Sequence, residues 1–190
     1  MTTERTRKVD PIGTDVIAGA QQGLESAWQE IYGRLAEPVT GYLKARGASD
    51  PEDLCAEVFF QIARDIHRFH GSGDKFRSWV FVIAHRRLID ARRAQGRRPQ
   101  TVEEPLSQFD RIGGDVEDEV MTELGNSQVA EIFNSLTDEQ KTVLALRVVA
   151  DLSLEETAVV MGKRVGAVKA LQRRALASVK AKLDDGRVSL

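Results

Sequence analysis

The sequence is poor in cysteine and in long apolar runs. Its only cysteine is Cys55, so an internal disulfide and a cysteine-rich zinc site are both excluded. Val80 to Ala84 is among the longest apolar runs, and it is far shorter than the roughly 20 residues that span a bilayer. The N-terminus is polar and basic, without an apolar segment of the signal-peptide type. We therefore expect a cytoplasmic protein with no membrane insertion.

Signals of catalysis are also missing. His67 and His70 are three residues apart, but no carboxylate or cysteine stands at a convincing ligand spacing from them. The loop from His70 to Asp74 is rich in glycine, yet it lacks the Gly-Lys-Ser/Thr ending of a phosphate-binding loop. No nucleophile motif or cofactor fingerprint is present. The sequence predicts no catalytic residues, no metal site, no cofactor and no enzymatic activity.

Charge is distributed unevenly along the chain. The formal net charge is only −2, which argues against general affinity for nucleic acid. However, the stretch from His85 to Arg98 is strongly basic and contains a single acid, Asp90. The following stretch from Pro99 to Asn126 is acidic and contains a single cation, Arg111, whereas the last helical stretch is basic again. The order basic, acidic, basic indicates separate regions with different partners.

Apolar residues recur at helical spacing, and alternation typical of strands is rare, so we predict an all-α fold. In the first half, Pro38 is expected to end one helix and to start the next, residues 39–46. Ser49 or Asp50 is expected to cap the following helix, which Pro51 opens. A further helix is expected over residues 75–93. The apolar stripe of the capped helix comprises Leu54, Val58, Ile62 and Ile66.

The second half contains two capping boxes, Thr137 with Gln140 and Ser153 with Glu156. The helix after Ser153 is expected to end at Gly162, and a longer basic helix is expected from about Val165. Its predicted buried stripe is Val168, Leu171, Ala175 and Val179. A short helix, a glycine corner and a basic helix are typical of a DNA-reading helix-turn-helix. An αα-hairpin with a solvated cationic face explains this stretch alone equally well.

The pattern divides the chain into two small helical modules joined by an acidic linker. We predict a flexible N-terminus over residues 1–13, a first module over 14–94, a linker over 95–126, a second module with the helix-turn-helix over 127–183 and a tail over 184–190.

Three motifs resemble those of bacterial sigma factors of the extracytoplasmic-function group. DPEDLCAEVF at residues 50–59 is similar to the family helix D-x-E-D-L-x-Q-E-x-F. FRSWVFVIAHRRLID at residues 76–90 is similar to F-x-x-W-L-x-x-I-A-x-N-x-x-x-D. LTDEQ at 136–140 leads into LSLEE at 152–156 and VGAV at 165–168. Each motif is weak alone, and the three together, in the family's order and spacing, are strong.

The resemblance implies a protein that binds core RNA polymerase and directs it to promoter DNA, with an anti-sigma protein as a further partner. In this family the first module recognises and melts the −10 element, and the second reads the −35 element as a duplex. The residues expected to contact the −35 duplex are Arg147, Arg164, Lys169, Gln172, Arg173 and Arg174. Those expected to contact the melted −10 strand are His70, Asp74, Lys75, Arg86, Arg87 and Arg93. Those expected to bind the polymerase are Asp53, Glu57 and Gln61.

One alternative function remains open from the residues alone. A stand-alone helix-turn-helix regulator would use the first module as a sensor or dimerisation domain and would bind duplex DNA without polymerase. The arginine-rich stretch from His85 to Arg98 favours the sigma factor, because a sensor domain does not need it. Trp79 is interpreted as a core residue rather than as a base-stacking one, since it is in register with Phe76 and Ile83. Cys55 is interpreted as a small buried helix residue rather than as a redox switch.

Overall fold

A computed structural model of the chain describes residues 12–96 and 131–187, with side chains for 12–94 and 131–184. We call residues 12–96 the first module and residues 131–187 the second module. Every regular element within these ranges is helical, and no helix among them is both long and apolar enough to cross a bilayer. Residues 1–11, residues 97–126 of the expected acidic linker, residues 127–130 of the expected second module, and residues 188–190 of the expected tail lie outside the described ranges.

Four helices form the first module: α1 (Thr14–Gln21), α2 (Glu25–Ala45), α3 (Pro51–Asp65), which runs into a 3-10 turn (Ile66–Arg68), and α4 (Gly73–Gly96). Ile12, which the sequence places in the flexible N-terminus, is instead buried in the core of this module. A side chain at Gly73 would collide with the backbone of Ile12, so glycine is required there for α4 to begin beside the incoming chain.

Helix α2 corrects the expected break at Pro38. The helix is continuous from Glu25 to Ala45 with Pro38 inside it. Proline removes one intrahelical hydrogen bond, a cost of about 3 kcal/mol in a helix interior. Leu35 and Val39, on either side of Pro38, are both fully buried, and their packing keeps the two halves of α2 in one helix.

The start of α3 follows the sequence signals closely. The Asp50 side chain accepts a hydrogen bond from the Asp53 backbone N–H at 2.8 Å, and Pro51 occupies the first turn. The predicted stripe of Leu54, Val58, Ile62 and Ile66 is buried, as is Cys55. Burial of this face leaves Asp53 and Glu57 on the exposed side of the helix.

The second module consists of α5 (Asp138–Leu144), extended by a π-helical turn (Ala145–Val149), α6 (Leu154–Met161) and α7 (Val165–Arg187). Both predicted capping boxes are present, at Thr137 and at Ser153. Gly162 has a φ of 61°, a left-handed conformation that glycine adopts without steric cost and that ends α6 as predicted. Val168, Leu171 and Ala175 of α7 are buried, whereas Val179 is half-buried.

Helix α6 packs on two sides, and the sequence predicted only one of them. Ala158 is buried and Leu154 half-buried in the core that α5, α6 and α7 share. Val160, together with Leu152 just before the helix, is buried in the core of the first module. The two modules are therefore in direct contact, with α6 against α4 and the π-helical turn against α2.

A polar pair lies between α2 and α4, with Tyr42 buried and His85 half-buried. The hydroxyl of Tyr42 is 2.7 Å from Nδ1 of His85. Burial lowers the pKa of His85, and the nearby positive charge of Arg46 lowers it further. Burial also raises the pKa of Tyr42. Both groups are therefore neutral at pH 7, and the hydrogen bond joins a phenol to a neutral imidazole.

We predict that His85 makes the folded protein less stable in mild acid. The unfolded chain protonates this histidine below its ordinary pKa of about 6.5, while the folded chain resists protonation, so the free energy of unfolding falls as the pH falls. One proton contributes at most about 1.4 kcal/mol per pH unit. Urea unfolding at pH 7.5 and pH 5.5 measures the difference. His85→Gln should reduce the pH dependence, whereas His67→Gln at an exposed position should leave it unchanged. Equal pH dependence in the two variants would contradict the role of His85.

Candidate functional site

The basic face of α7 lies opposite its buried stripe. Arg164 just before the helix, and Lys169, Arg173 and Arg174 within it, are exposed, and Gln172 is half-buried. Leu171 is buried, as expected, so it is not available to DNA. The corner before the helix is held by an ion pair of 2.6 Å between Lys163 and Glu139 of α5. The helix therefore presents a row of cations and one amide on a fixed support.

Arg147 differs from the other predicted −35 residues because it makes an internal contact. It lies in the π-helical turn, is half-buried, and donates a hydrogen bond to the backbone carbonyl of Leu152. This bond links the π-helical turn to the start of α6. Arg147 therefore stabilises the helix-turn-helix, and only the remainder of its guanidinium could reach a phosphate.

The predicted −10 residues lie on α4 and at its N-terminal end. His70, Asp74 and Lys75 are exposed around the start of α4. Arg86 is exposed further along the helix, and Arg93 is exposed near its end with Asp90 at 3.7 Å. The separation between these two sets follows from the length of α4, since its 24 residues extend about 36 Å.

Arg87 does not share the open environment of Arg86. Its guanidinium donates to the amide oxygen of Gln61 at 2.8 Å and lies 3.6 Å from the carboxylate of Glu57. Both partners belong to α3 and are predicted polymerase-binding residues. The structure thus brings Arg87 together with the polymerase-binding set rather than with the −10 set.

Phe60 is a candidate residue that the sequence interpretation missed. Its side chain is 71% exposed and lies on α3 beside a shallow depression that Asp53, Ala56, Glu57 and Arg87 also line. The available signal was the position of Phe60, two residues after Val58 and two before Ile62, which places it on the side of α3 opposite the buried stripe. Phe59 is buried, and Phe60 therefore adds a large apolar surface to the acidic face of α3.

Trp79, which could stack on a base, and Cys55, which could be oxidised, both pack against the core. Trp79 is half-buried, with its ring centroid 5.4 Å from that of Phe69 and 5.6 Å from that of Phe76, which confirms it as a core residue. Cys55 is buried, and burial raises the pKa of its thiol, so the reactive thiolate is disfavoured. Among the described residues, no group of three or more histidine, cysteine, aspartate or glutamate side chains is placed to hold a metal ion.

Family models match both modules. The model of Sigma-70 region 2 matches residues 31–98, and that of Sigma-70, region 4 matches residues 132–181. SigD, an extracytoplasmic-function sigma factor of Mycobacterium tuberculosis, is 31% identical over 173 residues, which cover 87% of this chain and 81% of SigD. The chain belongs to the extracytoplasmic-function sigma factors. It is an alternative sigma factor that binds core RNA polymerase and directs initiation at specific promoters.

A second relative and two solved structures of similar fold extend the comparison. The sigma factor BldN of Streptomyces coelicolor is 30% identical over 173 residues, and the match covers 90% of this chain and 66% of BldN. In fold, the chain is similar to CnrH in its complex with the cytosolic domain of CnrY, with a TM-score of 0.66, 23% identity, and coverage of 90% of this chain and 96% of CnrH. It is also similar to RpoE in complex with the anti-sigma factor NepR from Bartonella quintana, with a TM-score of 0.61, 17% identity, and coverage of 83% and 96%.

Proposed function

We propose that the two modules of this sigma factor divide the promoter between them. The first module, whose predicted bounds are residues 14–94, binds core polymerase and captures the melted −10 element. The second module, whose predicted bounds are residues 127–183, reads the −35 element, and the predicted linker, residues 95–126, joins the two. The exposed cationic face of α7, placed directly after the left-handed corner at Gly162, is the observation that best supports this division.

In the second module, the N-terminal half of α7 enters the major groove. Lys169, Gln172, Arg173 and Arg174 lie on its exposed or half-exposed side and supply donors for base edges. Arg164, just before the helix, contacts phosphate, and Arg147 contributes to phosphate binding mainly by fixing the turn.

In the first module, exposed cations on α4 attract the separated strand. Lys75 at one end, and Arg86 and Arg93 further along, form a positive track for a single-stranded backbone, and His70 adds an exposed polar ring just before α4. Asp74 lies at the N-terminal end of α4, where it offers acceptors to an unstacked base. Arg87 instead orients the side chains of Glu57 and Gln61 on α3, because its guanidinium contacts both of them.

The acidic face of α3 binds the polymerase. Asp53, Glu57 and Gln61 lie on it around Phe60, which is the arrangement of an apolar anchor within a polar rim. The matching surface on the polymerase should be basic with a central apolar pocket.

We also propose an anti-sigma protein as a regulator of this chain. The structures of CnrH and RpoE that share its fold are complexes with CnrY and with the anti-sigma factor NepR. The proposed site of action is the cytoplasm, where promoter DNA and polymerase are found. The chain contributes recognition to transcription and no catalysis of its own.

The division of labour is tested by transcription with purified core polymerase. Adding the chain should yield transcripts that start at a defined set of promoters, and sequencing their 5′ ends identifies the two elements. Deleting the −35 element should reduce initiation, because the second module then has no element to bind. A chain that binds duplex promoter DNA tightly without polymerase, and does not change the start sites used by core enzyme, would favour a stand-alone regulator.

Phe60→Ala should weaken binding to core polymerase without destabilising the fold. Truncation of a central aromatic anchor costs 1–2 kcal/mol or more, so the Kd should rise by about tenfold. Fluorescence titration of labelled protein with core polymerase measures it. Leu24→Ala, which truncates another exposed apolar side chain of the first module, is the control and should bind normally. An unchanged Kd for Phe60→Ala would remove this residue from the interface.

The double substitution of Arg173 and Arg174 by alanine should weaken −35 recognition but leave core binding intact. Each good base contact contributes about 1–3 kcal/mol of discrimination, so the preference for an intact −35 element over a scrambled one should fall at least tenfold. The control replaces Lys180 and Lys182 by alanine, which removes the same charge from the exposed C-terminal half of α7. Equal losses in the two double variants would mean that the face acts only through overall charge.

A further inference from the structure

The chain between α3 and α4 supplies three of the residues proposed to contact the melted −10 strand. We call residues 70–75 the capture loop. It starts just after the 3-10 turn at the end of α3 and ends in the first turn of α4. Because so short a connection has few rotatable dihedral angles of its own, its direction depends on how the preceding turn is held. Its three exposed candidate residues are His70, Asp74 and Lys75.

The side chain of Gln21, the last residue of α1, holds that preceding turn. Its amide nitrogen donates to the backbone carbonyl of Ile66 at 3.0 Å and to the backbone carbonyl of Phe69 at 2.9 Å. A glutamine amide has two N–H donors, so both are used. We call these two hydrogen bonds the Gln21 clamp. The clamp joins both ends of the turn to a helix that lies more than 40 residues earlier in the sequence.

The two carbonyls in the clamp lie where helical hydrogen bonding has ended. The last carbonyls of a helix have no partner within that helix, so they bind water, a capping group or another element. Water would satisfy them without fixing the direction of the chain, whereas a side chain anchored on α1 sets that direction. An exposed hydrogen bond adds little net stability, because water competes for the same acceptor. The contribution of the clamp is therefore orientation.

Phe69 is held at its ring as well as at its carbonyl. The centroid of the Phe69 ring lies 5.1 Å from that of Phe76, in an edge-to-face arrangement, and 5.4 Å from that of Trp79. Both of these aromatic residues belong to α4. The residue just before the capture loop is therefore fixed between α1, which binds its carbonyl, and α4, which packs on its ring.

Close packing at the two glycines of the capture loop leaves the loop little freedom. A Cβ on Gly71 would lie 3.0 Å from Cζ of Phe69, and a Cβ on Gly73 would overlap the backbone oxygen of Ile12. Ile12 is itself buried, just before α1 begins. The chain that enters α1 thus contacts one end of the loop, while the last residue of α1 binds the turn at the other end. Residues 12–21 form a platform under the capture loop.

We propose that Gln21 is a positioning residue for strand capture, whose clamp holds the capture loop in the orientation that receives an unstacked base. The proposal rests on the proposed function, because it concerns the −10 contacts assigned there. Gln21 acts through the turn at residues 66–69 and does not itself touch DNA. A loop held in one orientation binds with less loss of conformational freedom.

The clamp should affect the choice of base more than the overall affinity for a strand. A loop that samples several orientations can still contact the phosphates of any strand, whereas contacts to base edges require one orientation. Loss of the clamp should therefore lower discrimination between a correct and an incorrect −10 element. Binding to core polymerase should not change, because the proposed polymerase residues lie on α3 before the turn.

Four substitutions on α1 separate the clamp from a general effect on folding. Gln21→Leu removes both donors at similar size, and Gln21→Glu replaces them by a carboxylate that faces two carbonyl oxygens. Gln21→Lys restores a donor group of sufficient length. Gln22→Leu changes the adjacent exposed glutamine, whose side chain is not part of the clamp, and is the matched control.

The measurement compares two single strands bound by holoenzyme assembled from core polymerase and each variant. One labelled strand carries the −10 element of a promoter identified by transcription, and the other carries the same bases in scrambled order. The ratio of the two Kd values measures discrimination. A substitution that merely destabilises the protein lowers the amount of active holoenzyme and leaves this ratio unchanged.

We expect Gln21→Leu and Gln21→Glu to lower the ratio by about fivefold, the effect of one or two lost hydrogen bonds. Gln21→Lys and Gln22→Leu should stay within about twofold of wild type, and the Kd for core polymerase should be the same throughout. A wild-type ratio in Gln21→Leu and Gln21→Glu would overturn the proposal. So would a Gln21→Lys variant as poor as Gln21→Leu, because a donor would then not be what matters.

Gly71→Ala tests the orientation of the loop without any change on α1. The added Cβ crowds Phe69, so the ring or the loop must shift, and the ratio should again fall several-fold. Combined with Gln21→Leu, the losses should be less than additive, because both substitutions disturb one orientation. Fully additive losses would contradict a single held orientation. Gly33→Ala, where a Cβ would meet no described atom within 4 Å, is the control.

Wild-type holoenzyme separates failure of this proposal from failure of the proposed function. If wild-type holoenzyme binds the intact and the scrambled strand equally well, the first module does not read the −10 element, and the proposed function is contradicted. If wild type discriminates and the Gln21 variants discriminate equally well, the proposed function stands and the role of Gln21 is overturned.

Discussion

The arrangement of the two modules depends on one electrostatic constraint, the burial of the Arg46 guanidinium. A charge this deep is tolerated only with a carboxylate at hydrogen-bonding distance, and here Asp138 of the other module supplies it. Asp138 remains 71% exposed on its own side, so the pair is only partly desolvated and can be replaced by water on separation. A fully buried pair would make the modules one permanent domain, whereas a fully exposed pair would contribute almost nothing. The contact among Arg46, Arg92 and Asp138, a bridge between the two modules, lies between these limits.

Local structure was the part of the fold that could be predicted from the sequence. The caps at Asp50, Thr137 and Ser153 and the left-handed residue Gly162 depend on hydrogen bonds and sterics within a few residues, which short motifs encode. The continuous helix through Pro38 was not predicted, because the packing that compensates for its missing hydrogen bond involves residues distant in sequence. Local signals place the ends of helices, and tertiary burial decides whether a weak point inside a helix breaks it.

The candidate sites were predictable where the residues face solvent and poorly predictable where they meet other elements. Lys169, Arg173 and Arg174 are exposed, as the spacing on α7 indicates. Arg87 has the same charge and a similar motif position to Arg86, yet it is held by Glu57 and Gln61 from α3. A single sequence contains no signal for that pairing. The burial of Arg46 and Arg77 was not predicted, and the reason is the same. An arginine on a helix is expected to face solvent until its neighbours are known.

The boundary between the two modules combines apolar and polar contacts. A permanent interface would be expected to rely on apolar burial throughout. This one combines five buried apolar residues of the second module with two arginines that bind a carboxylate and a backbone carbonyl. The polar contacts add orientation and cost little to exchange for water, because water satisfies the same donors and acceptors. The acid at position 138 is also the first residue after a helix cap, so the backbone that positions the bridge belongs to a stable part of the second module.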